Sequence, residues 1–367
     1  MAQDYRRPVR IFEIAKRRKP SPVGVSAPSD FELGRTTTID YVPNGPEIVP
    51  YCINAQTERL LCTLVTDVPA ALAAPFLYQA QYEKAQGIVS IPFERLSELT
   101  EGTECEPTFV FSIGRCGSTL VSALLKAVDQ RPASEPDVYS QIANLGADAR
   151  ALMGQPGVAN LLRHTTLALA RVCGRELFVK LRSQCNGIAT ELMATIPEAR
   201  CAYMLREPQS WARSRHRTFG DDPATMAHML KWGVQTYDAL VSAGARPALV
   251  WYEDVAARPQ RALTDLGVAA DRVARLTPEA VAAVMSQDAQ EGTGISRSDG
   301  TTRQLSAEGL RQFIEEWERI MPKEIIARHG LERLELRGSQ ANERVARFPV
   351  PDAGRPPIAL VAGGAAQ

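Results

Sequence analysis

Runs of apolar residues, each about the length of a strand, recur at 108–113, 176–181, 200–205 and 247–252, and stretches with helical spacing separate them. Consecutive apolar positions are satisfied only when both faces of a strand are covered. The alternation therefore predicts a parallel sheet with helices on either side, and a ligand site at the carboxyl ends of its strands. Ahead of that block, strand-like pieces at 60–65 and 87–91 and a helical stretch at 70–84 predict a small α+β appendage over residues 21–105. An amphipathic run at 306–328 predicts a packing helix. From Arg337 onward, and above all from Pro349, Pro, Gly and Ala dominate, which predicts partial disorder over 336–367.

The chain has 367 residues, with Lys plus Arg equal to Asp plus Glu at 42 each. Zero net charge removes the global positive field that draws a protein to nucleic acid. An apolar fraction of 45% suits a sizeable core, and the composition suggests a bacterial origin. Seven cysteines at irregular spacing, with no C-x-x-C pair, point to reduced thiols in a cytoplasm. Residues 1–20 carry Arg6, Arg7, Arg10, Lys16, Arg17, Arg18 and Lys19 without an apolar segment, which predicts a basic, mobile end and no signal peptide. No run is long enough to span a membrane. The histidines are scattered and no HExxH occurs, so no metal site is expected.

Chemistry concentrates where the first strand of the block ends. Residues 108–113 lead into Gly114-Arg115-Cys116-Gly117-Ser118-Thr119, and helix-forming residues follow at 120–128. A strand, a Gly-punctuated turn and a helix N-terminus make a device for gripping an anion. Backbone N–H groups point out of the loop, the helix dipole adds partial positive charge, and Arg115 with the hydroxyls of Ser118 and Thr119 completes the cradle. The expected ligand is a phosphate-bearing nucleotide. The loop is not a Walker A sequence: Gly117 is followed directly by Ser118, no Lys precedes the hydroxyl, and the cation Arg115 stands before the glycine. That displacement argues against ordinary ATP or GTP hydrolysis. Cys116, inside such a loop, is expected to have a lowered pKa. With no His-plus-acid grouping beside it, it reads as a small loop residue.

The arrangement cation-x-Gly-Ser-Thr at a strand-to-helix turn resembles the sulfotransferase superfamily, where this loop holds the 5′-phosphosulfate of PAPS (3′-phosphoadenosine 5′-phosphosulfate). About ninety residues on, the apolar stretch 199–205 runs into Arg206-Glu207-Pro208, with Ser214 eight residues after the arginine. Sulfotransferases look like this at their 3′-phosphate site. The spacing has a physical basis: Pro208 suits a first helical turn, Ser214 lies two turns further along, and a guanidinium fork and a helix hydroxyl can reach one phosphate. A looser match is Tyr252-Glu253-Asp254, since many sulfotransferases have a similar Tyr-Glu-Asp after a central strand; both acids read equally as a solvated strand end. The resemblance covers about residues 108–330. It implies an α/β fold, a P-loop-like three-layer sandwich with a central parallel sheet over 106–335, carrying the small N-terminal α+β appendage.

The chemistry implied is an in-line displacement at sulfur, in which an acceptor hydroxyl attacks and adenosine 3′,5′-bisphosphate leaves. Arg115 and the 117–119 backbone are placed for the leaving group. Bacterial and tyrosylprotein sulfotransferases have a Glu soon after the first helix as the proposed base; Glu135 is similar, with Asp137 as the fallback. Cytosolic members use a His on a later strand, and none of His164, His216, His228 and His329 follows such a strand. Lys180 is similar to a strand-end lysine that tyrosylprotein sulfotransferases have near the transferring group, and Arg182 shares its side of a period-two strand. The polar stretch 292–303 resembles the late loop that closes over PAPS, without the Arg-Lys-Gly of cytosolic members. Arg297 and Arg303 are thus candidate contacts to the 3′-phosphate, and an ordinary exposed loop reads equally.

The expected function is transfer of a sulfuryl group from PAPS, as cosubstrate, to the hydroxyl of a small-molecule acceptor. A P-loop-type small-molecule kinase using ATP-Mg and a catalytically idle sulfotransferase-like binding module are the rivals. Residues 21–105 are open to three roles: shaping an acceptor pocket, mediating a homodimer, or bracing the sheet.

Overall fold

Among the described residues, ten strands form two five-stranded sheets. The structure is a computed structural model, and it describes residues 6–21, 23–287 and 303–336. The first sheet is antiparallel and contains β1 (Val9–Arg17), β2 (Phe31–Ile39), β3 (Ile48–Asn54), β4 (Arg59–Leu64) and β5 (Gly87–Pro92), in the order β2-β1-β5-β4-β3.

Two expectations for this region are corrected. The basic N-terminus is not a mobile end over Val9–Arg17, because β1 pairs with β2 on one side and β5 on the other. Its cations hid a strand whose Val9, Ile11, Phe12 and Ile14 lie between charges, and flanking arginines are tied in. Arg7 grips Glu94 through Nε at 2.8 Å, and Arg17 donates to the carbonyl oxygens of Tyr82 and Ala85. The helix expected at 70–84 is split into Val68–Ala73 and Leu77–Lys84. Pro75 is the cause. Its ring disfavours the helical region for the residue before it, and Ala74 accordingly turns extended at ψ 154°.

The second sheet is parallel throughout, as the apolar runs predicted. It contains β6 (Glu106–Ser112), β7 (Ala133–Ser134), β8 (Glu176–Lys180), β9 (Arg200–Leu205) and β10 (Ala248–Trp251), in the order β10-β9-β6-β8-β7. After the first residue, every position of β6, β8 and β9 is buried, so both faces are covered and the fold is a three-layer α/β sandwich. From β6 the chain goes first to the edge strand β7, returns to β8 between β7 and β6, then crosses to β9 and β10 on the other side. The order therefore reverses at β6, and a switch point of this kind is where an open α/β sheet forms a ligand crevice at its carboxyl edge. The amphipathic run at 306–328 is two helices, Ala307–Ile320 and Lys323–His329. The first buries Phe313 and Trp317 and packs on the helix Pro223–Ser242.

The two sheets share one core, which runs from Val49, Leu60 and Ile91 to Phe109, Val121 and Leu169. Contact is made through β3, which packs on the helices Asp137–Ala143 and Ala147–Cys173. The Ile53 N–H donates to Gln141 Oε1 at 2.5 Å across that seam. No helix among the described residues is long and apolar enough to cross a membrane.

Candidate functional site

The turn after β6 is held from three directions. Ser112 Oγ accepts from the Gly114 N–H at 3.2 Å, the Asn186 side chain donates to the Ser112 carbonyl at 3.1 Å, and Trp211 Nε1 donates to the Gly114 carbonyl at 2.8 Å. Its backbone is left-handed at Gly114 (φ 77°), Arg115 (φ 60°) and Gly117 (φ 83°). At Gly117, which begins the helix Ser118–Ala127, a glycine is required twice over: the φ favours it, and an added Cβ would lie 2.3 Å from the Tyr252 ring. The N–H groups of the following helix open toward the crevice beside β6.

Arg206 leaves the carboxyl end of β9 and reaches the same turn. Its Nη1 donates to the Arg115 carbonyl at 3.3 Å, its Nε donates to Ser210 Oγ at 2.9 Å, and its guanidinium lies 4.2 Å from the centre of the Tyr252 ring. Arg115 Nε donates to Ser214 Oγ at 3.2 Å, on the helix Pro208–Phe219. Arg115, Arg206 and Ser214, expected to share one ligand and separated by about a hundred residues, thus meet in one contact chain.

Ser210 and Arg215 were not singled out in the sequence, and Tyr252 was noted only as the head of the looser Tyr-Glu-Asp match; all three stand at this turn. Arg215 Nη1 lies 3.4 Å from where a Cβ on Gly114 would be, and its Nε donates to Asp221 at 2.5 Å. The one signal available for Ser210 was helical spacing, because Ser210 and Ser214 stand at the i, i+4 positions of one helix face. Glu253 is not the solvated acid of a strand end. Its Oε1 accepts from the Glu207 N–H at 3.3 Å and from Ser210 at 3.4 Å, and burial raises its pKa. Asp254 pairs with Arg258 and Arg333.

Across the crevice lies a second cluster. β7 is only Ala133–Ser134, paired in register with Val179 and Lys180, and the Glu135 N–H donates to the Lys180 carbonyl at 2.7 Å. Glu135 is left-handed at φ 57°. Its Oε1 meets Lys180 Nζ at 2.7 Å, while Lys180 also donates to Thr119 Oγ1 at 3.1 Å and so ties this cluster to the anion turn. Lys180 is buried, which lowers its pKa against the opposing pull of Glu135. Arg182 faces the same way, as a period-two strand requires, with Nε 3.8 Å from Glu135 Oε2 and Nη1 donating to Asp137 Oδ1 at 2.8 Å. Burial works to lower the Arg182 pKa, but the carboxylates of Asp137 and Glu135 outweigh it and hold the guanidinium above its ordinary value. Asp137 is fully buried and also accepts from the N–H and hydroxyl of Ser26, so it is committed to structure, which removes it as the fallback base. Glu135 keeps 16% of its side chain exposed, open to the crevice.

Two further expectations change. Cys116 is fully buried, its thiol donates to the Gly114 carbonyl at 3.5 Å, and burial pushes its pKa up to about 12 rather than down. Its side chain serves the core, leaving only its backbone to the ligand. Arg303 is exposed, with its guanidinium against Gly220 at the carboxyl end of the Pro208–Phe219 helix, about 9 Å along the axis from Ser214. Arg297 and the rest of 292–302 lie outside the described residues.

No family model and no curated protein matches the chain. Among solved structures it is similar to the sulfotransferase domain of the Synechococcus PCC 7002 olefin synthase, with 16% identity over 60% of this chain and 96% of that one, TM-score 0.37. It is also similar to the sulfotransferase STF9 from Mycobacterium avium, with 14% identity over 74% and 84%, TM-score 0.37. A third is the sulfotransferase STF1 from Mycobacterium tuberculosis H37Rv, with 16% identity over 62% and 80%, TM-score 0.33.

Proposed function

We propose that this chain is a sulfotransferase that moves the sulfuryl group of PAPS to the hydroxyl of a small-molecule acceptor. The observation that carries the reading is the meeting of Arg115, Arg206 and Ser214 at one strand-end turn, with the Lys180–Glu135 pair joined to it through Thr119. Arg206 and Ser214 at one end, Lys180 and Glu135 with the 117–119 backbone at the other, and Arg115 between them fit a ligand with two separated anionic groups and a proton to move between ligand and protein.

In this reading Arg206 and Ser214 take the 3′-phosphate, and the 117–119 backbone takes the 5′ end. The acceptor oxygen forms its bond to sulfur while the bond from sulfur to the bridging oxygen breaks, and the acceptor proton passes to Glu135. Lys180 and Arg115 face the charge that grows on the bridging oxygen. The seven cysteines are all free, which fits a reducing cytoplasm.

Thermal shift with adenosine 3′,5′-bisphosphate against ATP-Mg tests the assignment, because only a ligand of the folded state raises the melting temperature. Stabilisation by the bisphosphate alone is expected. Stabilisation by ATP-Mg alone would make the chain a kinase, and bisphosphate binding without transfer from labelled PAPS would make it an idle module.

A further inference from the structure

The break at Pro75 places two aromatic rings against the two cations that end β8. The Phe76 ring centre lies 4.8 Å from Lys180 Nζ, and the Tyr78 ring centre lies 4.8 Å from the Arg182 guanidinium. The rings stack on each other at 5.7 Å and 17°, and both are fully buried. Had residues 70–84 formed one helix, 76 and 78 would point about 200° apart around its axis. With the helix interrupted, Phe76 is extended (φ −133°, ψ 119°), and both side chains reach the same cluster.

The segment is fastened at both ends. Lys126, on the helix behind the anion turn, donates to the carbonyl oxygens of Ala73 and Ala74, each at 2.9 Å. On the far side of Tyr78, Lys19 Nζ lies 4.9 Å from the ring centre, donates to Ser26 Oγ at 3.1 Å and stands 3.6 Å from Asp30. Three bases and three acids therefore alternate from the anion turn toward the first sheet: Lys180, Glu135, Arg182, Asp137, Lys19 and Asp30.

We propose that the 74–78 segment is a positioning clamp, in which Phe76 and Tyr78 hold Lys180 and Arg182 on Glu135, so that residues before 105 complete the reactive cluster rather than decorate it. The inference rests on the proposed function only in taking Lys180 and Glu135 as the reacting pair. A ring face favours the charged ammonium, opposing the burial that disfavours it. The groups that face Lys180 are Glu135, Arg182, Arg115, Thr119, Lys126 and Phe76; Glu135, the ring and the accepting Thr119 hydroxyl favour its proton, and the three cations oppose it.

The test is an NMR titration of Lys180 in the full chain carrying 13Cε-lysine, with the resonance assigned by Lys180→Arg. In Phe76→Leu, which keeps apolar bulk and removes the ring, Lys180 should lose its proton about one pH unit earlier, a tenfold change in its acid constant. Phe76→Tyr should restore the original titration. Turnover should fall with the loss of charge, while adenosine 3′,5′-bisphosphate affinity stays within about twofold. Coincident titration curves for Phe76→Leu and the original chain would overturn the clamp. Should Phe76→Leu fail to fold, Phe76→Met makes the same comparison. A chain that never binds the bisphosphate would sink the proposed function, and the titration would still decide the clamp.

Discussion

The two sides of the crevice are built by opposite means. The anion side, Gly114 to Thr119 with Arg206 and Ser214, is made of backbone N–H groups, hydroxyls and guanidinium forks carried by the ends of β6 and β9 and the helices that follow them. The other side, Glu135 with Lys180 and Arg182, is made of buried ion pairs whose neighbours include Val23, Phe76 and Tyr78, up to 159 residues away in sequence. The first needs only the parallel sheet, whose paired strands β6 and β9 bring its two halves together. The second needs a whole module in place, because charges taken out of water are tolerable only when every partner arrives. The proposed function therefore predicts that binding and chemistry separate by mutation.

The sharpest break is Glu135→Gln, which keeps the shape and removes the proposed base. Turnover from labelled PAPS should fall about 10²- to 10⁴-fold, with bisphosphate affinity unchanged. Unaltered turnover would move the base elsewhere. Asp137→Ala leaves the Arg182 guanidinium buried beside a vacancy, so unfolding free energy should drop by about 3–5 kcal/mol, read by chemical denaturation. A loss under 1 kcal/mol would mean that the ladder is not coupled. On the anion side, Arg206→Ala should weaken bisphosphate binding by calorimetry by about 10- to 150-fold, or ~1.5–3 kcal/mol, while the melting temperature of the free chain changes little. The smallest effect is one of pH. Burial lowers the Lys180 pKa, so rising pH removes its charge before it would discharge an ordinary lysine, and the alkaline limb of the rate should fall below pH 10.5. A limb at or above that value would show that the Lys180 charge is dispensable.

What could be read in the sequence follows the same division. β6, β8, β9 and β10 were visible because strands buried on both faces are continuous apolar runs. Arg115, Arg206 and Ser214 were visible because a strand end followed by a turn and a helix fixes a side chain's position within a few residues. β1 was hidden by its own cations, and a charged strand looks like a solvated tail until its partners at Glu94, Tyr82 and Ala85 are known. Phe76 and Tyr78 read as ordinary apolar positions of a helix, since nothing nearby says that cations wait over a hundred residues downstream. Cys116 was misjudged for a related reason: a loop that exposes its N–H groups to an anion turned this side chain the other way, into the core.

Arg115 stands in a backbone shape that an L-residue adopts at a penalty of about 1–2 kcal/mol and that glycine adopts freely. Heat resistance and reactivity therefore pull on this position in contrary directions. A library of this chain screened only for survival at high temperature should accumulate glycine at 115, and its hardiest members would have discarded a charge the crevice was shaped around.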